Sequence, residues 1–337
     1  MMRYLKGAGG ESQIFITTHS TNFLDTAEMR NVYLASRDDS TKVQLLNVAE
    51  AEESIPRELG IRLSSLFMFD RLVFVEGPSD EDVIREWASL LGINLGQSNV
   101  GFVSMDGVRN FAHYATEKTI SFLSRRRVKM YFVLDRDERD DAEVQQLTKR
   151  LGEQAELCVL ERREIENYLL APRALANFIR VKRELGGVAN PEAPEITEVN
   201  TALSTAADSL KDLALDKRVS RIACRPIYPD RNRVLQRDST KDIGARISEE
   251  LERQRTALDS IESSLAEIRA REEQALNEQW GTKKTQIVPG DFLLDEVCRG
   301  FGVRFVKERD SARLAALMTA EEIPTEIRGL LNKLIQR

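Results

Sequence analysis

The sequence predicts an α/β protein with a parallel sheet that carries helices on both faces, together with a helical domain. Two observations favour this fold. Short apolar runs alternate with helical patterns in the first half of the chain, and two longer segments with a narrow apolar seam follow them. The chain has 337 residues, of which 42% are apolar and 31% charged, so its size allows about two domains with a substantial core.

Four apolar runs predict the strands of the sheet, at residues 72–75, 100–104, 128–134 and 156–160. The segments between them have helical periodicity, at residues 80–91, 109–124 and 140–152. Strands that alternate with helices indicate parallel βαβ units. Further upstream, "IFITT" predicts a short strand at residues 14–18, and "NVYLASR" with "KVQLLNV" predicts a strand pair.

Acidic residues follow the end of every predicted strand of this sheet. Because the carboxyl ends of parallel strands share one edge, we expect these side chains to lie close together. Unpaired carboxylates would repel one another, and a hard divalent cation with oxygen ligands, Mg²⁺ or Mn²⁺, would relieve that repulsion. The residues concerned are Glu76, Asp80, Asp106, Asp135, Asp137, Glu138, Glu161, Glu164 and Glu166.

The spacing of these acidic residues indicates which of them can share a metal region. Asp135 and Asp137 alternate after the most apolar run of the chain, so both can face one metal region, and Glu164 and Glu166 have the same spacing. Asp80 has a second interpretation, as a residue that caps the helix predicted at 80–91.

These motifs carry a family resemblance. Glu76-Gly77 after an apolar strand, Asp80 four positions on, and Asp135-x-Asp137 after a later strand resemble the Toprim domain of topoisomerases, primases and several nucleases. "IFITTHSTNFLD" resembles the switch-histidine segment that ends an ABC-type ATPase domain, and "REIENYLL" resembles the acidic segment of one Toprim group. Together they resemble the OLD (overcoming lysogenisation defect) family of ATP-dependent or ATP-regulated nucleases.

The resemblance implies a DNA endonuclease that uses two Mg²⁺ or Mn²⁺ ions. The implied ligands are Glu76, Asp80, Asp135, Asp137, Glu164 and Glu166, with Glu76 as a ligand or as the general base. His19 would be a remnant of the ATP sensor, and its alternative is a buried or turn histidine. No Gly-x4-Gly-Lys-Ser/Thr motif is present, so we expect ATP to act only through an ATPase domain outside this chain, which would be part of a longer protein or a shortened relative.

The resemblance and the composition predict four regions. Residues 1–65 would be the incomplete tail of an ABC-type ATPase domain, and residues 66–172 the Toprim catalytic domain. Residues 173–280 would form a helical domain with coiled-coil-like helices, and residues 281–337 a segment that completes the Toprim region. Apolar seams predict helices at 196–213 and 247–280. They would pack as an antiparallel hairpin or small bundle, or else form a homodimer.

A basic segment separates the two seamed helices. Residues 217–246 hold nine Lys or Arg against three Asp, whereas residues 247–280 hold nine Asp or Glu against four Arg. The segment is a candidate DNA-binding surface, and a solvated loop face is the alternative. Its candidate contacts are Arg221, Arg225, Arg231, Arg233 and Arg237.

A lysine for the active site is harder to assign. We predict a strand at 285–288, a turn at Pro289-Gly290 and then a helix. In OLD relatives this turn is expected to carry Gly-Lys, but here Asp291 follows Gly290. Lys283 and Lys284 are the nearest candidates to supply the charge, and Lys241 is a further one.

Composition limits the cellular location and the class of protein. The net charge of −6, the three scattered cysteines and the lack of a long apolar stretch predict a cytoplasmic protein without a membrane segment, a disulfide framework or a zinc pattern. Three alternatives stay open: a topoisomerase, which needs a nucleophilic tyrosine; a primase-like enzyme; and a regulatory or assembly module without enzymatic activity.

Overall fold

The computed structural model of the protein divides into two compact units. The first comprises the described part of Met1–Glu161 with Arg173–Phe178 and Val306–Arg337, and the second comprises Arg162–Pro172 and Ile179–Phe305. The described residues are 17, 33–37, 41–45, 69–107, 110–125, 128–151, 155–224, 228–235 and 241–336. The predictions for His19, Arg225 and Arg237 lie outside them.

The first unit contains a β-hairpin and a separate parallel sheet. In the hairpin, β1 (Tyr33–Arg37) pairs antiparallel with β2 (Thr41–Leu45), which confirms the predicted strand pair. The strand predicted at 14–18 lies outside the described residues except for residue 17.

The parallel sheet has four strands in the order β4-β3-β5-β6. Their bounds are Arg71–Val75 for β3, Val100–Ser104 for β4, Lys129–Leu134 for β5 and Ala155–Val159 for β6. All three pairings are parallel, as predicted. All five residues of the inner strand β3 are buried, because helices cover both faces of a parallel sheet.

Helices connect these strands. They are α1 (Pro78–Leu90), α2 (Phe111–Tyr114), α3 (Glu117–Arg125) and α4 (Asp141–Leu151). The single helix predicted at 109–124 is thus two helices in the structure, separated at Ala115 and Thr116. On one face of the sheet the rings of Phe74 and Phe132 stack with centroids 4.4 Å apart.

Two helices from the end of the chain complete the first unit. They are α11 (Lys307–Ala316) and α12 (Thr325–Ile335). The Trp87 indole of α1 donates to Met318 Sδ at 3.4 Å, just beyond the end of α11. A guanidinium nitrogen of Arg71 in β3 donates to Gln336 O at 3.0 Å, just beyond α12. The chain therefore returns to the sheet after more than 100 intervening residues.

The second unit is helical. Its helices are α5 (Pro172–Leu185, shared with the first unit), α6 (Ile196–Ser209), α7 (Lys211–Ala223), α8 (Arg231–Val234), α9 (Ile243–Ile287) and α10 (Gly290–Gly300). The helix predicted at 196–213 is interrupted at Leu210, which ends α6 and precedes α7. Lys211 lies over the Trp280 ring and Asp216 lies 4.0 Å from Arg269, so α7 and α9 run antiparallel.

Helix α9 extends the predicted 247–280 helix to 45 residues. It includes Thr285–Ile287, so the strand predicted at 285–288 is wrong. The local preference of Thr, Ile and Val for strands yields here to a helix held by tertiary contacts. The predicted turn and following helix are confirmed, since α10 begins at Gly290. Among the described residues no helix combines the length and apolar character needed to cross a membrane.

Candidate metal centre

Two of the predicted site carboxylates meet at the carboxyl edge of the sheet in the first unit. Glu76 directly follows β3 and Asp135 directly follows β5, which are neighbouring strands. Glu76 Oε1 accepts a hydrogen bond from the Asp135 backbone N–H at 3.0 Å. The side chain that follows β3 is therefore hydrogen-bonded to the backbone that follows β5.

Asp80 lies in the first turn of α1. Its Oδ2 accepts from the Gly77 N–H at 2.8 Å, so the Asp80 side chain caps the start of α1 by bonding back to the N-cap amide. Only 6% of Asp80 is exposed. Burial raises the pKa of its carboxyl, while the nearby Lys307 charge and the Gly77 amide act in the opposite direction. The capping interpretation of Asp80 is thus correct, and the Ser79 side chain is a further hydrogen-bond partner of its carboxylate.

Asp137 occupies a turn that most residues avoid. Its φ is +46°, in the left-handed region that Asp tolerates better than most side chains. Its Oδ2 lies 3.1 Å from Nη1 of Arg139. The same guanidinium donates to the backbone carbonyl of Asp135. A short loop with one buried cation therefore presents both aspartates of the Asp-x-Asp motif.

The edge carries more negative charge than its protein donors balance. Burial and the Asp137 carboxylate raise the pKa of Glu76 to about 7, although Arg139 and the Asp135 amide lower it. An ordinary glutamate ionises near pH 4.3, so Glu76 holds its proton into the neutral range when no cation is bound. The raised pKa reflects the burial of Glu76 first and the neighbouring Asp137 carboxylate second.

The carboxylates fit a divalent cation in chemistry and in charge. Mg²⁺ and Mn²⁺ prefer carboxylate oxygens, and this edge supplies them from Glu76, Asp80, Asp135 and Asp137. Within the described ranges, no group of three or more Asp, Glu, His or Cys side chains is arranged so that it could hold a metal ion by itself. An edge of this kind can complete the coordination of a cation with water or with phosphate oxygens.

The second unit holds the other two predicted ligands. Glu164 precedes the 3₁₀ helix Ile165–Leu169, to which the fully buried Glu166 belongs. Glu164 Oε2 accepts from the Gly290 N–H at 2.8 Å, and its Oε1 pairs with the Arg163 guanidinium. Glu164 therefore caps the start of α10. A common metal site for Glu164, Glu166 and the sheet edge stays a prediction.

Gly290 and Asn167 explain how this second cluster is held. A Cβ on Gly290 would lie 2.8 Å from Asn167 N and 2.9 Å from Glu166 Cβ, so only glycine fits without a shift. Asn167 Nδ2 donates to Thr285 O at 2.8 Å and to Val288 O at 3.0 Å. The glycine of the predicted turn thus has a packing role against the 3₁₀ helix.

The predicted lysines have local partners or lie exposed. Lys284 Nζ is 2.7 Å from Asp208 Oδ2, and the Trp280 indole N–H donates to Asp208 Oδ1 at 2.9 Å. Lys241 pairs with Glu249, and Lys283 is exposed. All three belong to the second unit, and their catalytic role stays a prediction.

Sequence reasoning missed two cations of the first unit, Arg139 and Lys307. Arg139 follows the Asp-x-Asp motif by two residues, and that spacing is the one signal that could have identified it. Lys307 is 227 positions from Asp80 in the chain, and only the packing of α11 on α1 brings it near.

The basic segment is partly described. Arg233 lies 3.3 Å from Asp230, Arg231 is exposed, and Arg221 lies in α7. Glu250 of α9 accepts from the Asp230 N–H at 2.9 Å, which anchors the segment to the long helix. Tyr228 is 77% exposed beside it. DNA binding by this segment stays a prediction.

Comparison with known proteins gives a domain family. The C-terminal region of the Burkholderia pseudomallei OLD protein has a similar structure with a TM-score of 0.37 and 15% identity, over 79% of this chain and 96% of that one. No curated protein matches the chain. Residues 67–137, which run from before β3 to the Asp-x-Asp motif, match the family "Overcoming lysogenization defect protein-like, TOPRIM domain". This match assigns residues 67–137 to the OLD-like Toprim family and confirms the resemblance drawn from the sequence.

Proposed function

We propose that the protein is a metal-dependent endonuclease that hydrolyses phosphodiester bonds of DNA. The observation that carries the proposal is the edge formed by Glu76, Asp80, Asp135 and Asp137 inside an OLD-like Toprim domain. The four carboxylates there outnumber the two cations that lie near them, Arg139 and Lys307. Such an excess of charge supports binding of divalent cations, which in turn supports the approach of a polyanion to an acidic protein.

Each side chain has a role in this proposal. Asp135 and Asp137 hold one cation region, and Glu76 and Asp80 contribute to the second, with Glu164 and Glu166 as the further ligands that the sequence predicts. Mg²⁺ or Mn²⁺, when bound, supplies Lewis acidity toward the phosphate and a more acidic water. Glu76, whose pKa is about 7 without a cation, is also suited to exchange a proton near neutral pH.

Cationic side chains would stabilise the charge that builds on the phosphate in the transition state. Lys283 and Lys284 remain our sequence-based candidates, with Lys241 as a further one, and Lys307 joins them because it lies near Asp80. Arg221, Arg225, Arg231, Arg233 and Arg237 are proposed to contact the DNA backbone. ATP would act only through an ATPase domain outside this chain, and a homodimer is compatible with the long α9 helix.

The test is cleavage of supercoiled plasmid by the purified chain with Mg²⁺, Mn²⁺ or Ca²⁺. We expect nicked or linear DNA with Mg²⁺ or Mn²⁺, and its loss in Asp135→Ala, because that change removes a ligand from the sheet edge. The matched control is Asp82→Asn, which changes an exposed carboxylate of α1 and should retain activity. Circular dichroism checks that each variant is folded.

Three results would contradict the proposal. Full activity of the folded Asp135→Ala variant would remove the sheet edge from the reaction. Relaxed, closed circular product or a covalent protein–DNA adduct would indicate a topoisomerase instead. The lack of both cleavage and cation binding in the unaltered chain would favour a regulatory or assembly module.

A further inference from the structure

Arg139 is a buried cation at the centre of the sheet edge. Its side chain is 4% exposed, and its Nη1 contacts both the Asp137 carboxylate, at 3.1 Å, and the Asp135 carbonyl. A guanidinium removed from water in this way is costly unless charge and hydrogen bonds compensate for the desolvation. The Asp-x-Asp loop supplies both, so the position of Arg139 and the conformation of the loop depend on each other.

The loop is also fixed from its outer side. The Arg139 N–H donates to Arg136 O at 3.0 Å, and Arg136 Nε donates to Arg139 O at 3.0 Å. The Arg136 guanidinium in turn pairs with Asp141 in the first turn of α4. Backbone and side-chain bonds therefore define the direction from which the Arg139 side chain enters the edge.

The contacts of Arg139 leave room for a cation. Its bond to Asp137 uses Oδ2, and its bond to Asp135 uses the backbone carbonyl, so Arg139 itself occupies neither Asp137 Oδ1 nor the Asp135 carboxylate. The four carboxylates together with Arg139 and Lys307 still leave a formal charge of −2 when all are ionised. Arg139 thus reduces the repulsion among the carboxylates without cancelling the attraction for a divalent ion.

We propose that Arg139 is a positioning residue that organises Asp135 and Asp137 for divalent cations. This inference rests on the proposed metal dependence of the protein. Outer partners of metal ligands fix the orientation of those ligands, and their loss typically weakens metal binding 10- to 100-fold. Arg139 acts through the two aspartates and needs no contact with DNA.

The experiment is calorimetric titration of the full chain with Mn²⁺ in the absence of DNA. Arg139→Gln should weaken Mn²⁺ binding by about 10- to 100-fold. Arg139→Lys keeps the charge but loses the planar guanidinium, so its affinity should lie between that of Arg139→Gln and the unaltered chain. Arg85→Gln is the matched control, because Arg85 pairs with Glu81 on the partly exposed face of α1 and should leave the affinity unchanged.

The outcomes separate this inference from the proposed function. If the unaltered chain binds no Mn²⁺, the proposed metal dependence fails. If it binds Mn²⁺ and Arg139→Gln binds equally well or more tightly, metal dependence stands and the positioning role is overturned. If Arg139→Gln loses its near-UV circular dichroism, Arg139→Lys decides: weaker binding supports the role, and an unchanged affinity overturns it.

Discussion

Asp135 in the first unit and Glu164 in the second are equally buried, at 9% and 8% exposure, and both follow predicted strands. Their surroundings differ. Both carboxylate oxygens of Glu164 are engaged, one by the Gly290 amide and the other by Arg163. Near Asp135, burial and the Asp137 carboxylate raise the pKa of Glu76 to about 7, although Arg139 lowers it. Burial alone therefore does not distinguish these two acidic residues, whose neighbours differ in charge.

The largest expected effect tests this difference directly. Asp137→Asn should weaken Mn²⁺ binding by more than about 100-fold, beyond what loss of an outer partner costs. Glu164→Gln should weaken it by no more than about 10-fold, because glutamine can still accept from the Gly290 amide. Calorimetric titration measures both. Equal losses would mean that Glu164 leaves its donors to bind a cation, and the contrast between the two regions would disappear.

A smaller effect concerns the pH dependence of stability without metal. The folded pKa of Glu76, about 7, lies above its ordinary value of 4.5, so the folded state binds the proton more tightly than the unfolded state. Its stabilising contribution is present below about pH 4.5 and is lost as the pH rises through 7, a change of at most about 3 kcal/mol.

Urea unfolding of Glu76→Gln at pH 5 and pH 8 measures this contribution. The variant should be more stable than the unaltered chain at pH 8, and the advantage should shrink at pH 5. Glu81→Gln, on the same strand-to-helix segment, should show no such trend. If Glu76→Gln is no more stable than the unaltered chain at pH 8, ionised Glu76 does not destabilise the folded state.

The smallest effect tests the donor-rich region. Gly290→Ala places a methyl group 2.8 Å from Asn167 N and should destabilise the second unit by about 1–3 kcal/mol. Gly281→Ala, in α9 with no atom near the added methyl, should instead stabilise by up to about 1 kcal/mol. Thermal unfolding measures both. If Gly290→Ala leaves the thermal stability unchanged, the 3₁₀ helix moves to accommodate the methyl group and does not hold Glu164 rigidly.

Much of the first unit could be predicted from the sequence, since its signals are local. Strand β3 reads as apolar because it is covered on both faces, and Glu76, Asp135 and Asp137 come directly after strands. Parallel topology then places strand ends at one edge without further information. The strand predicted at 285–288 is wrong for the opposite reason. Its residues favour a strand locally, but tertiary packing makes Thr285–Ile287 the last turn of α9.

The two missed cations show why site chemistry was harder to predict than the sheet. Arg139 stands in "DRDERD", where basic residues alternate with acidic ones and look like an ordinary solvated turn. Its burial emerges only when the loop closes over it. Lys307 comes near Asp80 through helix packing, and no spacing rule connects residues so far apart.

The hydrogen bond from Asp135 N–H to Glu76 Oε1 has a consequence for folding order. The two residues are 59 positions apart, and they meet only when β5 pairs with β3. The bond from the Gly77 N–H to Asp80 closes within one turn of α1 and can form early, whereas closure of a long loop makes the Glu76 contact slow to form. The carboxylate edge is therefore assembled late, with the sheet itself, and a growing chain cannot complete it until the residues of β5 have emerged.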